Sequence, residues 1–64
     1  MDRKSIERDI RSHERRMESD KKRAIANILD NELEVATLAI ACALTHKGAI
    51  SELMQQREML EVEQ

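Results

Sequence analysis

Apolar positions in the first part of the chain recur every three to four residues, and residues seven apart resemble one another. Ser5, Ser12 and Ser19 form one such series, Arg8, Arg15 and Lys22 a second, and Ile10, Met17 and Ala24 a third. This is a heptad pattern. With Ile10, Met17 and Ala24 at position a, Ile6, His13 and Asp20 fall at position d, so about three heptads run along one seam with two polar d residues. The periodicity predicts a first helix over about residues 2–29.

Around Asp30-Asn31 the pattern gives way to near-continuous apolarity. Asn31, followed three residues later by Glu34, imitates a capping box and predicts a break, with an unbroken helix from Asp2 to Lys47 as the alternative. A second helix over 31–47 has Leu33, Ala36, Ile40 and Ala43 on one side, with Val35, Leu38, Ala39 and Cys42 covering much of the rest. A helix apolar nearly all round must be surrounded by protein. Ala36, Ala39 and Ala43 are small enough for another helix to approach closely, as at a dimer axis. His46-Lys47-Gly48 reads as a helix stop, with basic side chains in the last turn and glycine free to take the left-handed conformation. A third helix then covers 49–62, turning Ile50, Leu53, Met54 and Leu60 inward and Glu52, Glu58, Glu61 and Glu63 largely to water.

Composition agrees with helices alone. The 64 residues include no proline, one glycine and no aromatic residue, and Ala, Leu, Glu, Arg, Lys, Met and Gln dominate, the residues that lose least on entering a helix. The expected fold is all-α: one domain, 1–64, of two or three helices forming a hairpin that oligomerises into a bundle. Oligomerisation follows from size, since a chain this short buries only roughly 60% of its unfolded surface. Cys42 is a single cysteine, and Cys42, His13 and His46 fall short of a structural zinc set. The interface is expected at Ile6, Ile10, Met17, Leu33, Ala36, Ile40 and Ala43. A dimer is the first expectation and a tetramer the second.

Charge divides the chain. Residues 1–23 carry nine Lys/Arg against six Asp/Glu, net +3, and residues 24–64 two against seven, net −5. The halves attract, which suits a hairpin or an intersubunit pairing of an acidic C-terminal helix with a basic N-terminal one. On a helical wheel Lys4, Arg8, Arg11, Arg15 and Lys22 form a ridge opposite the apolar seam. They are candidate contacts for a partner or for nucleic-acid phosphates; as a solvated face they would instead pair locally, through Glu7 with Arg11 and Glu18 with Lys22. If the first helix self-associates, flanking charges disfavour a parallel pairing and favour an antiparallel one centred near Arg15. The seam can equally receive the chain's own C-terminal helix.

No residue cluster suggests catalysis. His13 and His46 are far apart and lie in neither a His-Glu-x-x-His nor a Cys-x-x-Cys context. His13 reads as a polar seam residue, His46 as a helix-terminal one, Cys42 as a small buried hydrophobe, and Met17 and Met54 as core filling. The expectation is a protein without enzyme activity or cofactor. The charged start carries no secretory signal, and Leu33–Leu44 is shorter than the ~20 residues that span a bilayer, so a cytoplasmic protein that avoids membranes is expected. Its function is then to bind: as a homo-oligomeric regulator, adaptor or inhibitor of a cellular protein, or, alternatively, as a nucleic-acid-binding bundle using the basic ridge. In size and texture this compact, charged, all-helical chain resembles the short accessory proteins encoded in the early regions of temperate lambda-like bacteriophages. That resemblance implies modulation of host regulation in the bacterial cytoplasm.

Overall fold

In the computed structural model, which describes the backbone of residues 2–63 and side chains as far as Glu61, the chain is a two-helix antiparallel hairpin. Helix α1 spans Arg3–Leu29 and α2 spans Leu33–Glu63. They form a rod with extents of 51 × 14 × 12 Å.

Asp2 caps α1, its carboxylate accepting the Ser5 backbone N–H at 2.8 Å. That hydrogen bond to the charged form holds the Asp2 carboxyl below its ordinary pKa. The cap's contribution is therefore full above the unfolded-state pKa and disappears as pH falls through the lowered folded value. At the other end the Asn31 N–H donates to Ile28 O at 3.0 Å and the Glu32 N–H to Asn27 O at 2.7 Å. With Asn31 at φ 61°, this is a Schellman closure in which asparagine takes the left-handed position. The break near Asp30-Asn31 thus occurs as expected, but Asn31 ends α1 and does not cap α2. Glu32 fills that place, its carbonyl accepting from Ala36 N–H at 3.1 Å.

The expected stop at His46-Lys47-Gly48 does not occur: α2 runs through Gly48, and the 31–47 and 49–62 segments are one helix. Glycine in a helix interior costs about 1 kcal/mol relative to alanine. Continuing the helix keeps Ile50, Leu53 and Leu60 on the surface of the long α1, where Ile50 joins Ile6 and Ile10 as the buried cluster and Leu53, Leu60 and Met17 pack around it. That packing outweighs the local preference.

The core is thin. Ile6, Ile10, Ala24, Ala36, Ala39 and Ile50 are its buried apolar residues among those described. Toward the open end it is built from isoleucines; toward the turn only alanines meet, Ala24 from α1 with Ala36 and Ala39 from α2. The seam's polar residues run at heptad spacing through the interface as His13, Asp20 and Asn27, and the Asn27 Nδ2 is buried without a hydrogen-bond partner. The charge asymmetry of the sequence is used within the chain, where Arg3 Nη2 meets Glu61 Oε1 at 3.1 Å. The side chains of Val62 and Glu63 lie outside the described residues.

Candidate interaction surface

The expected interface residues separate into two groups. Ile6, Ile10 and Ala36 are buried between the chain's own helices, and Met17 and Ala43 are half-buried. Within the hairpin this seam is filled by the chain's own α2, where Ile6 and Ile10 pack on Ile50. Leu33 and Ile40 are exposed, and they belong to a larger set.

Ile25, Ile28, Leu29, Leu33, Val35, Leu38, Ile40 and Leu44 all lie in the half of the rod next to the turn, and all are exposed; Leu29 reaches 81% and Leu38 68%. Cys42, expected inside, is exposed among them. The reason is geometric: a helix that is apolar nearly all round needs neighbours on several sides, and a hairpin supplies one. Thr37 and Thr45 do not make this half hydrophilic, because each hydroxyl donates back to the carbonyl four residues earlier, Leu33 O at 2.9 Å and Ala41 O at 3.0 Å. The total accessible surface is 5103 Å², against about 4200 Å² expected for a compact monomer of this mass. By length and composition α2 would also suffice to cross a bilayer, and little of its apolar stretch is buried within the hairpin.

Toward the open end the same rod carries an open groove of about 890 Å³ between the helices. Met17, Ile50 and Met54 give it an apolar floor, and Arg8, Arg11, Arg15 and Lys47 rim it alongside Glu14 and Glu18. Met54, expected as core filling, is therefore at the surface. The local pairs expected for a merely solvated basic face do not form. Glu7 Oε1 takes Arg3 at 3.2 Å and Glu18 Oε2 takes Lys21 at 3.4 Å. Among the described residues Lys4, Arg8, Arg11, Arg15 and Lys22 have no carboxylate within salt-bridge distance, and all five are exposed.

Between the apolar half and the groove sits a polar layer that sequence reading missed. His13 and His46, 33 residues apart, place their Nδ1 atoms 2.8 Å from each other, so one ring donates an N–H to the other's lone pair. The ring centroids are 5.0 Å apart, close to the contact distance plus two ring radii. The nitrogens therefore face head-on, as in a hydrogen bond, and do not converge on a shared third point as metal ligands would. On its other side His46 Nε2 lies 3.8 Å from Asp20 Oδ2, and Asp20 Oδ1 accepts from Arg23 Nη2 at 2.6 Å. Asp20 is buried. The signal that could have found this layer is the turn itself: a hairpin pivoting at residues 30–31 sets each α1 residue opposite one whose number completes a sum near 60, and 13 faces 46 or 47. Among the described residues no three His, Cys, Asp or Glu side chains gather as a metal site.

No family model, curated protein or solved structure matches this chain.

Proposed function

We propose that this chain is a homo-oligomeric helical interaction protein, a regulator, adaptor or inhibitor that works by binding a larger cellular protein. The observation that carries this reading is the uncovered apolar half beside the turn. So many large apolar side chains exposed together on one half of a small protein mark a surface meant to be covered, and the thin rod leaves roughly 900 Å² more surface open than a compact monomer of its mass would. A second copy is the first partner. The faces left outside the oligomer, including the basic ridge, are then available to the regulated protein. In the phage setting that the chain's texture resembles, that protein would belong to the host and the site of action would be the bacterial cytoplasm. Burial against protein is favoured over membrane insertion because α2 is paired along its length with a heavily charged α1, and because His46 and Lys47 interrupt its apolar run.

Analytical ultracentrifugation across a concentration series tests the reading. A dimer or tetramer that persists at high salt is expected; a folded monomer at all accessible concentrations overturns it.

Lys4, Arg8, Arg11, Arg15 and Lys22, which have no ion-pair partner among the described residues, support a second reading, a bundle that lays this ridge along nucleic-acid phosphates. Its test is retention on mixed nucleic acid that weakens with salt and is lost in an Arg8→Ala/Arg11→Ala/Arg15→Ala variant. Indifference to nucleic acid at low salt removes it.

A further inference from the structure

We infer that two copies of this hairpin pack face to face and antiparallel, the turn end of each seated in the basic-rimmed groove of the other about a two-fold axis perpendicular to the helices. The inference rests on the self-association proposed above and specifies its geometry.

Groove and apolar patch share one face of the rod. Lys47, Ser51 and Met54 line the groove, and stepping back along α2 at helical spacing from Lys47 reaches Leu44, Ile40 and Leu33. On α1, Glu14 and Glu18 line it, and the same step forward reaches Lys21, Ile25 and Ile28. One half of this face is therefore apolar and the other is a groove with an apolar floor and a cationic rim. Val35, Leu38 and Cys42 lie on the opposite flank of α2.

The ends differ in charge as well. Between Arg23 and Lys47 the chain contains no lysine or arginine, while Asp30, Glu32 and Glu34 ring the turn and are all exposed. A parallel dimer would stack these acids on their own copies and bring the two arginine rims together. With the two-fold axis level with Leu44, the antiparallel dimer sets each acidic turn against the partner's Lys4 and Arg8, twice over, as an isologous interface requires. It also lays Leu33, Ile25 and Ile28 over the groove floor and along the arginine stems, which cover apolar surface while their heads stay wet. Leu44, near the middle of the rod, then meets its own mate. Each protomer presents the same patch and receives the same patch.

Charge reversal tests the arrangement, read by sedimentation equilibrium with helical circular dichroism as the folding control. Glu32→Lys/Glu34→Lys and, separately, Lys4→Glu/Arg8→Glu are each expected to weaken the dimer at least tenfold while remaining helical. An equimolar mixture of the two is expected to restore dimers, because both ends of the mixed pair are again complementary. If either variant dimerises as tightly as the parent, or if the mixture stays monomeric, the arrangement is wrong although self-association stands. Loss in the Lys4/Arg8 variant alone, with the parent sedimenting as a complex only when nucleic acid is present, also overturns it and moves the basic ridge to the nucleic-acid reading. A monomeric parent removes both this arrangement and the self-association beneath it. As an independent orientation readout, Leu33→Cys/Met54→Cys in a Cys42→Ser background is expected to give disulfide-linked dimers that neither single cysteine gives; efficient linking by Leu33→Cys alone identifies the parallel arrangement and overturns the proposal.

Discussion

The two halves of this rod use the same pair of helices in opposite ways. Near the open ends, Ile6 and Ile10 on α1 meet Ile50 on α2, branched side chains fill the space between the helices, and Arg3 reaches across to Glu61. Near the turn the buried apolar residues are only Ala24, Ala36 and Ala39, and the leucines and isoleucines point outward. Small residues inside and large ones outside is the inverse of a self-sufficient hairpin. Alanines let the helices approach but bury little area. The turn half therefore gains little stability from within the chain and stands to gain most from a neighbour.

The largest effect that separates the halves is expected at Ile6, which is 1% exposed. Ile6→Ala removes buried methyl groups from the one substantial apolar cluster, and such truncations cost about 2–5 kcal/mol. For a chain of this size that is a large share of the stability, about 3–10 kcal/mol on a per-residue basis. Urea titration is expected to show the variant largely unfolded at low concentration. Full retention of the parent's midpoint would mean that the open half is not what holds the hairpin together.

Leu33→Ser/Leu44→Ser addresses the other half. Both side chains are exposed in the hairpin, so helicity is expected to survive, whereas association should weaken by about 2–4 kcal/mol, or roughly 30-fold and upward. Val35→Ser/Leu38→Ser, on the opposite flank of α2, provides the comparison. Equal losses in the two pairs, measured by sedimentation, would mean a larger bundle that covers α2 on both flanks.

Much of this division was legible in the sequence. The heptad seam through Ile6, Ile10, Met17 and Ala24 is the buried line of α1, and the break at Asp30-Asn31 is where the chain reverses. The all-round apolarity of Leu33 to Leu44 was legible too, together with its consequence that the chain's own helices cannot cover it. The exceptions have two causes: contacts between residues distant in sequence decided Gly48 and the histidines, and a choice among equally spaced local partners decided the basic ridge. Gly48 reads as a stop until one sees that α1 is long enough to carry α2 past it. Arg11 and Lys22 read as partners of Glu7 and Glu18 by spacing, but Arg3 and Lys21 take those carboxylates at equally good spacing. His13 and His46 acquire meaning only once the hairpin is closed.

The polar layer joining the halves is the next test. Asp20 is buried and serves both Arg23 and His46, so Asp20→Ala leaves the His46 ring facing an apolar methyl group and removes the acceptor of Arg23. Arg23 is exposed and can turn to water, so the loss is about 0.5–1.5 kcal/mol, the net contribution of one hydrogen bond. Thermal melts at fixed protein concentration are expected to show that loss, and Asp20→Asn, which keeps an acceptor oxygen, a smaller one. An Asp20→Ala chain as stable as its parent would mean that the layer fixes register without adding stability.

The smallest effect sharpens the boundary itself. Gly48 is exposed, lies inside α2, and a Cβ added there would meet nothing within 4 Å. Gly48→Ala is therefore expected to stabilise by about 0.5–1 kcal/mol, chiefly by narrowing the conformations open to the unfolded chain. At about 4–8 °C per kcal/mol for a domain of this size, the gain is readable in a melt. The sign of the shift is what matters. Were Gly48 a left-handed helix terminus between two shorter helices, alanine would be strained there and the melting temperature would fall; a rise places it within one helix. In that case α2 is a single rigid rod carrying the isoleucine core and the uncovered apolar half in fixed relation, as any partner seated along the whole face requires.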